Sequence, residues 1–109
     1  MLHVVFRRVA EGELERLRSW MGELMRRREE VLETFENEGT RHEVAYLLET
    51  SDGPILVYAI EAEDPDRAHA AYLESSLPID AQHKEVLARA LAEPVPAERL
   101  FDIALPSDR

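Results

Sequence analysis

The hydrophobic period of this chain switches between two and about three and a half in a set order, and that order limits the fold more than any other feature. Leu2 to Val9 alternates, with Leu2, Val4 and Phe6 on one side and His3, Val5, Arg7 and Val9 on the other. Period two with β-branched residues predicts a strand, which Ala10-Glu11-Gly12 ends. From Glu13 to Glu38 the pattern becomes helical. Leu14, Leu17, Met21, Leu24, Val31 and Phe35 form a stripe flanked by Trp20, Met25 and Leu32, and Gly39 follows as the expected C-cap. Arg41 to Thr50 and Ile55 to Ala62 read as strands joined by the turn Asp52-Gly53-Pro54, an antiparallel hairpin. Asp64-Pro65 supplies the N-cap and first-turn proline of a second helix to about Ser75. Ser76-Leu77-Pro78 interrupts it, Asp80 is the expected cap of a third helix to about Ala92, and Pro94-Val95-Pro96 stops that helix. Leu100 to Leu105 is the expected last strand, and Pro106 to Arg109 the expected loose tail.

The order is strand, helix, strand, strand, broken helix, strand. It predicts an α+β, ferredoxin-like β-α-β-β-α-β domain with a four-stranded antiparallel sheet and helices on one face. The 109 residues suffice for one such domain over positions 1–109.

The expected sheet has unequal faces. Leu2, Val4, Phe6, Val44, Tyr46, Leu48, Phe101, Ile103 and Leu105 are the apolar set expected to meet the helices. The other face mixes His3, Arg7, Glu43 and Asp102 with Val5, Val9, Leu47 and Leu100. The third strand is apolar on both sides, with Val57 and Ala59 opposing Leu56, Tyr58 and Ile60. Helices on one side leave the mixed face bare, and its patch exceeds what a monomer usually shows. A homodimer joined face to face is therefore expected.

Composition excludes several classes. The net charge of −10 argues against nucleic acid, because binding phosphate needs basic clusters. The run Arg26-Arg27-Arg28 sits beside Glu23, Glu29 and Glu30 as a charged helix face. Without cysteine there is no disulfide or thiol chemistry. No apolar run approaches membrane-spanning length, and the N-terminus lacks the pattern of a signal peptide, so a cytoplasmic location is expected.

The element order and length resemble the dimeric α+β barrels, which include antibiotic-biosynthesis monooxygenases, stress-responsive A/B-barrel proteins and rhamnose mutarotases. A closer resemblance, to an uncharacterised family of that superfamily, rests on Arg26-Arg27-Arg28-Glu29-Glu30, Glu38-Gly39, Glu43, Glu61-Ala62-Glu63-Asp64, Glu74-Ser75, Pro78-Ile79-Asp80 and His83. The resemblance implies a lumen between sheet and helices that binds a small organic molecule. It brings no activity with it: no haem-ligand signature can be placed, and the mutarotase His/Tyr/Trp set does not align.

Candidate chemistry centres on His83 and Glu43 as catalytic residues. His83 lies on the inward stripe Ile79, Val86, Leu87, Ala90, three residues after Asp80, where a helix N-terminus keeps imidazole neutral and fit to act as a base. Its structural alternative is a hydrogen bond to Asp80 within the cap. Arg7 is expected to hold an anionic group while Glu43 or His83 handles a proton. His3, Tyr58, Asp102 and Arg28 complete the expected ligand-binding set. Arg28 interrupts the apolar stripe of the first helix, where it snorkels outward or points into a cavity. No histidine pair has metal-ligand spacing, and neither a G-x-S-x-G nor a glycine-rich phosphate loop occurs, so no metal or cofactor is expected. The expected function is a small-molecule-binding homodimer, with a cofactor-independent enzyme acting on a small organic substrate as its catalytic form. The alternative is a non-catalytic module dimerising through the sheet or through the first helix, whose stripe also reads as a heptad seam.

Overall fold

The computed structural model describes residues 1–106. The elements are β1 (Leu2–Val9), α1 (Leu14–Arg26), α2 (Arg28–Glu38), β2 (Thr40–Thr50), β3 (Gly53–Ala62), α3 (Pro65–Glu74), α4 (Pro78–Ala90) and β4 (Leu91–Pro94). The strands form one antiparallel sheet in the order β2-β3-β1-β4. No helix among the described residues is long and apolar enough to cross a membrane.

Local chemistry sets most of these boundaries. Gly39 ends α2 in the left-handed conformation at φ 78°, which a Cβ would disfavour. Asp64 accepts a hydrogen bond from the Arg67 amide, and Pro65 opens α3. The long helical stripe breaks at Arg27, whose φ and ψ of −106° and 40° are not helical. The break sends α1 against α4 and α2 against α3, where one straight helix would follow a single neighbour. Asp80 does not cap α4. Leu77 holds that position with Pro78 at N1, and Asp80 lies inside the first turn, freeing its carboxylate for another element.

The last strand also differs from expectation. β4 leaves α4 directly at Leu91 and pairs with Val9, and Pro94 pairs with Arg7. An edge strand tolerates proline because no neighbour needs its amide, so the proline pair that reads as a helix stop in sequence lies at the strand's end. Leu100 to Leu105 has no strand partner. Leu100, Phe101, Ile103 and Leu105 are 77–93% exposed. The tail expectation falls largely on residues 107–109, outside the described residues.

The sheet faces are the reverse of those expected. The helices cover the side carrying His3, Val5, Arg7 and Val9, together with Glu43, Leu47, Leu56, Tyr58 and Ile60. The side with Leu2, Val4, Tyr46 and Leu48 is open. Alternation in β1 separates the faces without ranking them, and β3 is apolar on both. What decides is the meeting of Val9, Leu17, Leu56 and Ala90 in one buried cluster with Leu14, Met21, Leu47 and Leu87. A polar strand face can be covered here because part of the covered space is hollow.

Candidate functional site

Between sheet and helices lies a cavity of about 370 Å³, at the small end of the range of small-molecule sites. Val5 and Ile60 supply its apolar floor, with Leu24, Val31, Phe35 and Leu87 as walls. His3 and His69 are exposed lining residues and mark its mouth.

A line of hydrogen bonds crosses the cavity. The buried Trp20 of α1 donates from Nε1 to His83 Nδ1 on α4 at 2.7 Å. With Nδ1 accepting, the neutral imidazole carries its proton on Nε2. That atom faces the Tyr58 hydroxyl of β3 at 3.4 Å. The Tyr58 hydroxyl in turn lies beside the Glu43 carboxyl on β2, close enough to lower its proton affinity and reached diagonally because Ala45 is the direct ladder partner of Tyr58. The series therefore points one way, from indole toward carboxyl. The Tyr58 and Tyr72 rings stand edge-on to His83, at 6.2 and 5.9 Å between centroids, and hold the imidazole in place.

Burial sets the proton affinities. It pushes His83 down to about 4, outweighing the pull of Asp80 in the other direction. It raises Glu43 to about 7 against the opposing hydrogen bond from Tyr58, and the negative Glu38 and Asp80 add to the rise. Burial and the neighbouring carboxylates also raise both tyrosines. His83 therefore stays neutral with its free lone pair committed to Trp20, while Glu43 titrates near neutrality.

Beside Glu43 sits a buried acidic cluster absent from the sequence expectations. Thr34 Oγ1 lies 2.9 Å from Glu38 Oε2 and 2.7 and 2.6 Å from the two Asp80 oxygens. Thr40 donates to Glu38 Oε1 at 3.0 Å. A bulge in β2 between Thr40 and His42 makes this possible. Without the extra residue, strict alternation would put Thr40 on the face opposite Glu43. A signal for the cluster did exist: Thr34 and Glu38 continue the stripe of Val31 and Phe35 at spacings of three and four, so they face inward.

Of the sequence-derived candidates, Glu43, His83, Tyr58, Arg7 and His3 all line the cavity. Arg7 and Glu43 are not neighbours. They stand two strands and four residues of register apart, roughly 16 Å at the backbone. Arg7 Nε also donates to the Ala92 carbonyl at 2.7 Å, on the β4 side. Arg28 is exposed at the start of α2, and Asp102 lies 3.6 Å from Arg99 in the exposed C-terminal segment; neither reaches the cavity. The cap-type bond from His83 to Asp80 does not form, since His83 turns to Trp20 and Tyr58 and Asp80 to Thr34. Trp20, which in sequence only flanks the helical stripe, and Tyr72 are the aromatic members that sequence reasoning missed.

Fold and site together define a small α+β domain with a four-stranded antiparallel sheet and a polar-ended cavity beneath its helices. The chain belongs to a family of unknown function, DUF6176, whose pattern matches residues 2–105. No curated protein and no solved structure matches it.

Proposed function

We propose that this protein is a small-molecule-binding homodimer of the ferredoxin-like, dimeric α+β barrel type, with a cavity equipped for acid–base chemistry at Glu43. The observation that carries this reading is the cavity itself, an apolar chamber into which a directed series of donors delivers one carboxyl. A general acid or base works best when its proton affinity lies near the working pH, and Glu43 meets that condition where His83 does not. His83 is then a positioning residue that fixes the direction of the Tyr58 hydroxyl. In a thermal-shift screen of small organic compounds, a subset is expected to raise the melting temperature. Val31→Trp, which fills the chamber, is expected to abolish that response. A response that survives this change would put binding elsewhere on the molecule.

The dimer rests on the open sheet face and the C-terminal segment. Tyr46 and Leu48 are 65% and 51% exposed on that face, and Leu100, Phe101, Ile103 and Leu105 project with no cover from their own chain. A second copy offers apolar surface for both. The heptad reading of the first helix has less support, because Leu17 and Met21 enter the core while Leu24, Val31 and Phe35 line the cavity. Sedimentation equilibrium is expected to give a dimer for the native chain and a monomer for the Tyr46→Glu, Leu48→Glu double variant. A native chain that sediments as a monomer at high concentration removes the barrel-type dimer and leaves the cavity reading intact.

A further inference from the structure

The acidic end of the cavity lacks a counter-charge. Thr34 has one hydroxyl proton and faces oxygens of both Glu38 and Asp80. If it donates to Asp80, it cannot donate to Glu38 Oε2, and the reverse also holds. At least one of these three carboxylate oxygens thus goes without the Thr34 proton, although Glu38 and Asp80 are only 8% and 3% exposed. Neither residue, nor Glu43, takes part in an ion pair among the described residues. Nearby cations are committed elsewhere. Lys84 turns to the Leu73 carbonyl at 3.0 Å, and Arg7 to that of Ala92. A buried anion without a partner is costly, so the deficit must be met by a proton or by something that enters.

We propose that the acidic end of this cavity seats the charged group of a small organic amine, whose hydrocarbon body lies against Phe35, Ile60 and Ile79. The inference rests on the binding-cavity reading above and names the class of ligand. An ammonium group brings three donors to a place short of donors, and its charge faces three carboxyl groups. A metal ion fits less well, because no three His, Cys, Asp or Glu side chains among the described residues are placed to hold one. An anionic ligand would have to sit toward Arg7, away from the cluster.

In the free protein a proton occupies the deficit, and the amine displaces it. Binding therefore releases a proton and strengthens as pH rises. The other titratable or charged groups lining the cavity are His3 from β1, Tyr58 from β3, Asp66, His69 and Tyr72 from α3, and His83 from α4, with Arg7 of β1 at the far end. His83 stays neutral, and the tyrosines are held above their ordinary range.

The test uses three probes of one shape: 2-phenylethylamine, 2-phenylethanol and phenylacetate, titrated into the native protein by calorimetry. The amine is expected to bind at least about tenfold more tightly than either analogue. It should tighten by about as much from pH 6 to pH 8 and release a proton visible as a dependence of the heat on the buffer. Glu43→Gln is expected to weaken the amine and spare 2-phenylethanol; the pH series on the native chain does not depend on that variant folding. Equal or tighter binding of 2-phenylethanol or phenylacetate would overturn the amine inference and leave the cavity reading standing. Failure of all three at millimolar concentration would overturn both.

Discussion

The layer between sheet and helices is largely solid at one end and hollow at the other, though the same sheet and the same helices bound both. At the solid end Leu47 and Leu56 stand side by side on the sheet, and Leu17 drops onto them from α1 at 2% exposure. At the hollow end the equivalent row is Glu43, Ile60 and His3, and the residues above it are Thr34, Glu38 and Asp80. Aliphatic pairs fill most of the first row and leave only a smaller hollow of about 220 Å³ beside Leu17, Leu47 and Leu56. In the second, short polar side chains bond one another and stop short of the middle. The cavity is thus a consequence of which residue types share a row, and the helix break at Arg27 carries α2 over it.

The largest expected effect separates the two ends by truncation. Leu17→Ala removes a side chain buried to 2% exposure and is expected to destabilise the fold by about 2–5 kcal/mol. Leu24→Ala, one stripe position on from Met21, enlarges a space that already exists and is expected to lose only about 1–2 kcal/mol. Urea denaturation of both variants checks the difference. Equal losses would mean that the hollow end is as tightly supported as the solid one.

A second test uses the hollow end's own titrating groups. Glu43 is raised from 4.5 to about 7, so its contribution to stability is complete below pH 4.5 and is lost as pH rises through 7. His83 is lowered from 6.5 to about 4, so its contribution is complete above pH 6.5 and is lost as pH falls through 4. Between pH 4.5 and 6.5 the two slopes oppose each other, and the raised Glu38 adds to the Glu43 side. Stability of the native chain is expected to be nearly flat there and to fall toward pH 8. In Glu43→Gln the His83 slope is exposed: stability rises from pH 4.5 to 6.5, and the loss near 7 is relieved by up to about 3 kcal/mol. Chemical denaturation across pH checks this. An unchanged profile in Glu43→Gln would mean that its carboxyl is better solvated than the cavity geometry implies.

How much of this was legible in the sequence follows the same division. The strands β1, β2 and β3 were readable because period two runs through them, and Gly39 and Asp64-Pro65 marked helix ends by backbone chemistry that needs no tertiary context. The inward direction of His83 also followed from periodicity, as did the shared sheet face of His3, Arg7 and Glu43. The faces did not. β1 and β3 carry apolar residues on both sides, so only contact with α1 and α4 decides between them. The Arg27 break was hidden because the stripe continues through it. β4 was masked by Pro94, which an edge position tolerates. The acidic cluster needed two long-range facts, the bulge that turns Thr40 inward and the position of Asp80 inside the first turn of α4, and local pattern encodes neither.

The smallest expected effect tests whether the donor series is more than packing. Trp20→Phe keeps an aromatic ring in α1 and removes only the indole N–H that fixes His83. The loss in stability is expected to be about 1 kcal/mol, that of one buried hydrogen bond. The informative readout is nitrogen NMR of the imidazole. In the native chain His83 is expected to hold its proton on Nε2 alone; in Trp20→Phe the Nδ1 form should appear. Where it does, Nε2 becomes an acceptor, and the Tyr58 hydroxyl can donate to it and turn away from Glu43. Glu43 then loses the one interaction that lowers its proton affinity, so its midpoint should move above 7, although Trp20 lies three links away. A His83 tautomer and a Glu43 midpoint both unchanged in Trp20→Phe would show that the four groups are neighbours without being coupled.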